Sequence, residues 1–164
     1  MNVGDERTKS IWADTAVAPE AIQLGHDIEA DAVVVGSGIA GLSTAYELSE
    51  QGHRVAVLDR GAIATGMTAR TTAHLTSISD DGFDALIDLR GEQNARLFYE
   101  SHAASIDRIE AIQKALGMSC NFRRLEGVLF PKIGGKSSDL DPQLESARKL
   151  GVKVRDDHGL PFRG

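Results

Sequence analysis

The sequence predicts an α/β fold: a βαβ unit with a parallel sheet, followed by helices and the beginning of a second sheet. Three observations carry this expectation. Ala32 to Val35 is an uninterrupted apolar run, mostly β-branched, as in a parallel strand covered on both faces. Leu42, Ala45, Tyr46 and Leu48 then recur at three- and four-residue steps, which is helical spacing, and Gly52 follows as a left-handed C-terminal stop. Val55 to Leu58 is a second apolar run, and a right-handed crossover between two such strands lays them parallel in one sheet.

Bulk composition narrows the function classes. With 164 residues, 41% hydrophobic and 26% charged, the chain suits a globular core plus part of a second domain. A net charge of -6 argues against nucleic acid or an anionic membrane as partner, because an acidic surface repels both. A small anion held by backbone amides stays open, since that grip does not depend on net charge. The single Cys120 allows no internal disulfide, and no basic, apolar leader opens the chain, so a cytoplasmic setting is expected. No apolar run approaches the ~20 residues needed for a membrane span.

Residues 1–30 lack sustained periodicity and read as an extended arm, with Ile11 and Trp12 as anchors. After the second strand, GAIATGMTARTTAHLTS (61–77) lacks a helical period and reads as a loop or a short helix start. Phe83, Leu86 and Ile87 predict a short helix near 81–89. Phe98, His102, Ile106, Ile109, Ile112 and Leu116 form one stripe of a longer helix closed by Gly117. The segment 121–131 alternates weakly and is expected to be a strand of another sheet. Leu140 to Leu150 reads as a helix with Asp141 at its start, Pro142 in its first turn and Gly151 as its stop, and 152–154 as a third strand for the parallel sheet.

The stretch that bears chemistry is DAVVVGSGIAG, in which Gly36, Gly38 and Gly41 form G-x-G-x-x-G between a strand and a helix. Gly36 makes the turn, Gly38 admits the backbone close to a ligand, and Gly41 lets the helix pack near the sheet, leaving free amides and a positive dipole end toward a pyrophosphate. Ser37, Ile39 and Ala40 add no acidic group there. Asp59, 18 residues beyond Gly41, falls at the C-terminal tip of the second strand, where a carboxylate accepts hydrogen bonds from ribose hydroxyls and repels a 2′-phosphate. The Rossmann-like dinucleotide reading accounts for more of these positions than glycines that merely turn the chain. NAD and FAD both use such a unit. The segment from Gly66 to Ala73 favours FAD, because a hydroxyl-rich turn stands where an NAD-binding half would start its next crossover helix, and an NAD-dependent dehydrogenase is the alternative.

At this point the sequence resembles the flavin-dependent amine and amino-acid oxidoreductases of the D-amino-acid oxidase superfamily, whose N-terminal FAD motif is matched by DAVVVGSGIAGLSTAYELSEQGHRVAVLD. IWADTA, ATGMTARTTAHLTS and MSCNFRRLEGVLF look like the subgroup related to gamma-glutamylputrescine oxidoreductase, in one branch of which many members carry a C-terminal Rieske domain. The resemblance implies that Gly36, Ser37, Gly38, Ile39, Ala40 and Gly41 hold the FAD pyrophosphate, that Asp59 holds the adenosine ribose, and that Arg60 borders the adenine. It further implies that Gly66, Thr68, Arg70, Thr71 and Thr72 approach the phosphates, ribityl chain or flavin ring, without a covalent link to FAD, and that Val154 lies near the adenine. The expected organisation is an arm over 1–30, an FAD-binding βαβ unit with its flavin-contacting loop over 31–80, a helical segment over 81–120, and over 121–164 the start of a substrate-domain sheet with the return to the FAD domain. Family members are more than twice this length, so the resemblance implies an N-terminal fragment whose amine or amino-acid substrate binds through the missing region.

Other residues receive plainer readings. A Rieske cluster needs two Cys and two His, so Cys120 alone builds none, and it is expected to be a buried small side chain. His74 is read as a loop histidine, Arg70 as either a flavin contact or a surface ion pair, and Arg123 and Arg124 as a solvated strand end. Asp80, Asp81 and Asp84 suit a helix start better than a metal. A truncated, non-catalytic dinucleotide-binding piece is a further alternative, whose open sheet edge would favour an oligomer or a complementary chain.

Overall fold

A computed structural model describes residues 20–155 together with Ser10 and Ala18; Ile11, Trp12 and the rest of IWADTA lie outside the described residues. The chain divides into two compact units, Met1–His74 and Leu75–Gly164.

In the first unit, β1 (Ala32–Val35) pairs in parallel with β2 (Val55–Leu58), Ala32 opposite Val55 and Val35 opposite Leu58. The ladder runs one residue past each strand: the Asp31 amide donates to the Arg54 carbonyl at 2.8 Å, and the Gly36 amide to the Leu58 carbonyl at 2.7 Å. Asp31 also accepts from the Arg54 amide (2.8 Å) and guanidinium (3.1 Å), which fixes the register at the end away from the glycines. The crossover is α1 (Ile39–Glu50), whose buried Ala45 is small enough for a helix lying close on two strands. Its end is closed by the His53 amide on the Leu48 carbonyl at 3.1 Å. Only one face of β1 is covered: Val34 is half-buried, whereas Val35 is 85% exposed, so the expectation of a strand buried on both faces fails among the described residues. Beyond β2, Met67–Arg70 forms a short 3-10 turn.

The second unit is helical: α2 (Gly82–Arg90), α3 (Glu92–Ala115) and α4 (Asp141–Lys149), the last entered through a 3-10 turn and Pro142. Gly91 joins α2 to α3 at a corner, donating to the Ile87 carbonyl at 2.7 Å and accepting from the Ala95 amide at 3.0 Å. Phe83, Ala95, Ala147 and Leu150 form the buried centre, with Leu86, Ile87, Tyr99 and Val152 packed against it. Phe83 and Tyr99 meet edge to face at 5.9 Å. Polar side chains tie the helices at their backbone ends. The Phe83 amide donates to Gln143 Oε1 at 3.0 Å, Gln143 Nε2 donates to Asp84, and Arg96 donates to the Lys149 carbonyl at 2.5 Å.

Four expectations are corrected here. The 121–131 segment forms no strand, and no backbone-to-backbone hydrogen bond reaches it among the described residues. Its alternation supplies a pattern, but a strand also needs a partner. Residues 152–154 form no third strand either, because the Val152 amide is drawn back onto the Ala147 carbonyl at 2.9 Å and its side chain onto the helical core. Cys120 is exposed, since the segment it was expected to introduce has no sheet to enter. Arg124 is no loose strand end: it reaches back to α3, pairing with Asp107 at 2.5 Å and Glu110 at 2.7 Å. No helix among the described residues is long and apolar enough to cross a membrane.

Leu150, at 1% exposure, is fully buried in the centre of the second unit, so Leu150→Ala is expected to destabilise that unit by about 2–5 kcal/mol. Leu89→Ala, at a 73% exposed position of α2, is expected to change stability by less than about 0.5 kcal/mol. Urea unfolding followed by helical circular dichroism measures both.

Candidate functional site

The site is built where β1 ends. Gly36 leaves the strand at φ +105°, a backbone region closed to ordinary side chains. The helix then begins so soon that a Cβ placed on Gly41 would lie 1.9 Å from the Gly36 carbonyl oxygen. Only hydrogen fits at that point. The Leu42 amide makes the first helical bond, to Gly38 at 2.9 Å, which leaves the amides before it as orphan donors. No acidic residue stands in the first turn of α1 to repel an anion. The Ile39 amide donates to Thr68 Oγ1 at 2.9 Å, and among the described residues the Ala40 and Gly41 amides meet no protein acceptor. Thr68 thus shows what this mouth takes: an oxygen acceptor, approached so closely that a Cβ on Gly38 would lie 3.2 Å from its hydroxyl.

Parallel pairing brings the C-terminal end of β2 to the same edge, one residue past the Gly36 amide to Leu58 carbonyl bond, and so delivers Asp59 to the turn. Ser37 donates both its amide and its hydroxyl to Asp59 Oδ2, each at 2.6 Å, and the Gly61 amide donates to Oδ1 at 3.0 Å. The Ser37 hydroxyl first, then the Ser37 and Gly61 amides, hold the Asp59 carboxyl down from 3.8 to about 2. The group is therefore a fixed anion at neutral pH. The Ala64 amide donates to the Ser37 carbonyl at 3.0 Å, tying the following loop to the same residue, with Ala64 itself at φ +61°.

Of the residues singled out in the sequence, Gly36, Ser37, Gly38, Ile39, Ala40, Gly41, Asp59 and Thr68 come together at this edge. Arg60, Gly66, Thr71 and Thr72 are exposed, and Arg70 folds back to donate to the Gly66 carbonyl at 3.2 Å. Val154 belongs to the second unit and to no strand, which removes the strand end on which its place near an adenine was expected. Sequence reasoning missed the Gly61 amide and the partnership of Ser37 with Asp59. The first had a signal, an aspartate followed two residues later by glycine, which is the spacing of a side chain capping its own turn.

Residues 31–160 match the family model described as FAD dependent oxidoreductase. The chain belongs to the FAD dependent oxidoreductase family. That family is FAD-dependent, and its relatives include gamma-glutamylputrescine oxidoreductase of Escherichia coli, 30% identical over 155 residues that cover 90% of this chain and 35% of that protein. YhfW of Bacillus subtilis, named as a Rieske 2Fe-2S iron-sulfur protein, is 30% identical over 148 residues, 90% of this chain and 29% of that one. OrdL of Haemophilus influenzae, named as an oxidoreductase, is 29% identical over 135 residues, 82% of this chain and 31% of that one. The chain thus spans about a third of the length of these relatives. No solved structure gives a significant match.

The Asp59 bonds carry a pH signature. A carboxyl whose folded value lies below its unfolded value adds stability that is present above about 4 and is lost as pH falls from about 4 toward about 2. A carboxyl-detected NMR titration should find Asp59 ionised down to about pH 2, and Asp59→Asn should weaken the acid dependence of unfolding in that window.

Proposed function

We propose that this edge binds the adenosine diphosphate half of FAD, and that the chain is the FAD-binding portion of an oxidoreductase that oxidises an amine or amino acid. One observation supports the reading above the others. Among the described residues, adjacent backbone amides at the mouth of α1 have no protein acceptor, while the amide before them has already taken a hydroxyl oxygen, and a carboxylate stands fixed at the neighbouring strand tip. That donor set suits a diphosphate followed by a sugar diol. The family supplies the flavin, and the name of one relative, gamma-glutamylputrescine oxidoreductase, supplies the amine class of substrate.

In this reading the Rossmann-like turn does the binding. Gly36 and Gly41 bring backbone to the diphosphate, and Ala40 and Gly41 donate to its oxygens. The Thr68 hydroxyl, which accepts from the Ile39 amide, turns its own proton toward the same phosphate. Asp59 accepts from the ribose, Arg60 lines the adenine side, and Gly66, Arg70, Thr71 and Thr72 reach toward the ribityl chain and ring. Residues 31–80 would then form the flavin-binding segment. When bound, the flavin ring supplies the hydride-accepting centre, and these residues contribute its grip and orientation.

Titration of the full-length chain with FAD, followed by quenching of flavin fluorescence, tests the reading. Saturable binding that excess NAD does not displace is expected. Asp59→Ala should weaken it roughly ten- to a hundredfold, the effect of removing a charged hydrogen-bond partner. Gly41→Ala should abolish it, because the new methyl collides with the Gly36 carbonyl. Absence of binding, or indifference to both substitutions, would overturn the assignment.

A further inference from the structure

We infer that Ser37 is a positioning residue for the cofactor's ribose: it ties Asp59 Oδ2 to the glycine turn and so turns Oδ1 toward the sugar. The inference rests on the reading of this edge as an FAD site and adds a role for the middle residue of G-x-G, a place where the turn itself needs no particular side chain. All three polar groups of Ser37 point to the 59–64 segment. Its amide and hydroxyl go to Oδ2, both at 2.6 Å, and its carbonyl accepts from Ala64 at 3.0 Å. The side chain is buried, with the residue at 2% exposure, and makes no other bond among the described residues, so neither its hydroxyl nor its amide is left for a phosphate.

Lone-pair accounting gives the consequence. A carboxylate offers about four acceptor positions, two on each oxygen. Ser37 fills those of Oδ2, and the Gly61 amide takes one on Oδ1 at 3.0 Å. The remaining direction on Oδ1 is the one a ribose hydroxyl can use. Without the Ser37 hydroxyl, Oδ2 keeps one donor instead of two, the carboxylate gains rotamer freedom, and fixing it again on binding costs affinity.

A double-mutant cycle on the full-length chain tests this, with FAD affinity read by fluorescence quenching. Ser37→Ala should weaken FAD binding about three- to tenfold, the effect of one lost hydrogen bond, and should add no further loss in an Asp59→Asn background. As pH is lowered, binding by Ser37→Ala should begin to weaken at a higher pH than binding by the parent chain. Should Ser37→Ala fail to fold, Ser37→Gly removes the same hydroxyl and carries the same expectations. Unchanged affinity, or an equal loss with and without Asp59, would overturn the role of Ser37. If the parent chain takes up no FAD, the site reading itself fails. The NMR titration of Asp59 in the parent and in Ser37→Ala then decides the clamp separately, an unchanged midpoint overturning it.

Discussion

The first unit is organised by a contact between two pieces of backbone. The carbonyl of Gly36 lies against the Cα of Gly41, at a separation where a methyl group would overlap it. Because the strand can turn into the helix this abruptly, the first amides of α1 converge just outside the sheet instead of being spread along a loop. The in-phase pairing of β1 with β2, Val35 against Leu58, then puts the residue after β2 beside the residue after β1. Asp59 reaches Ser37 for that reason, and the loop that follows is sewn to the turn through Ala64 and Thr68. Donors for an anion and an acceptor for a hydroxyl are thereby set side by side on a scaffold of two strands and one helix.

The second unit holds together differently. Its buried centre is small, so polar side chains acting on helix ends contribute specificity that packing alone would not. Gln143 bridges α4 to the start of α2, and Arg96 of α3 caps the last carbonyl of α4, that of Lys149. The ion pairs along α3 and its neighbours, Glu110 with Lys114 and Arg124 among them, are exposed on at least one side and add little to stability, though they do fix where the chain leaves α3.

Local signals were legible and distant ones were not. β1, α1 and β2 could be read because runs of valine, a three-to-four spacing and a glycine stop are all written within thirty residues. The helices α2 and α3 likewise show their apolar spacing, and α3 and α4 their closing glycines. The expected strands at 121–131 and 152–154 failed because alternation describes a surface, while pairing depends on what lies beside it. Arg124 finding Asp107 and Glu110 depends on how the chain turns after α3, which no spacing rule contains. At the site, the glycines and Asp59 were readable as a motif, whereas the Ser37 hydroxyl was not, since its direction is set by the register of a strand twenty residues away. Thr68 was picked out for its hydroxyl, but that it would meet Ile39 across 29 residues is a property of the folded loop.

The stretch around Leu125, Val128, Leu129, Phe130 and Ile133 carries its apolar side chains into water on backbone that joins no ladder among the described residues. A cell meets such a surface chiefly on polypeptides still being synthesised. Chaperones and proteases compete for apolar surface of this kind, and a chain is shorter-lived wherever such surface stays uncovered.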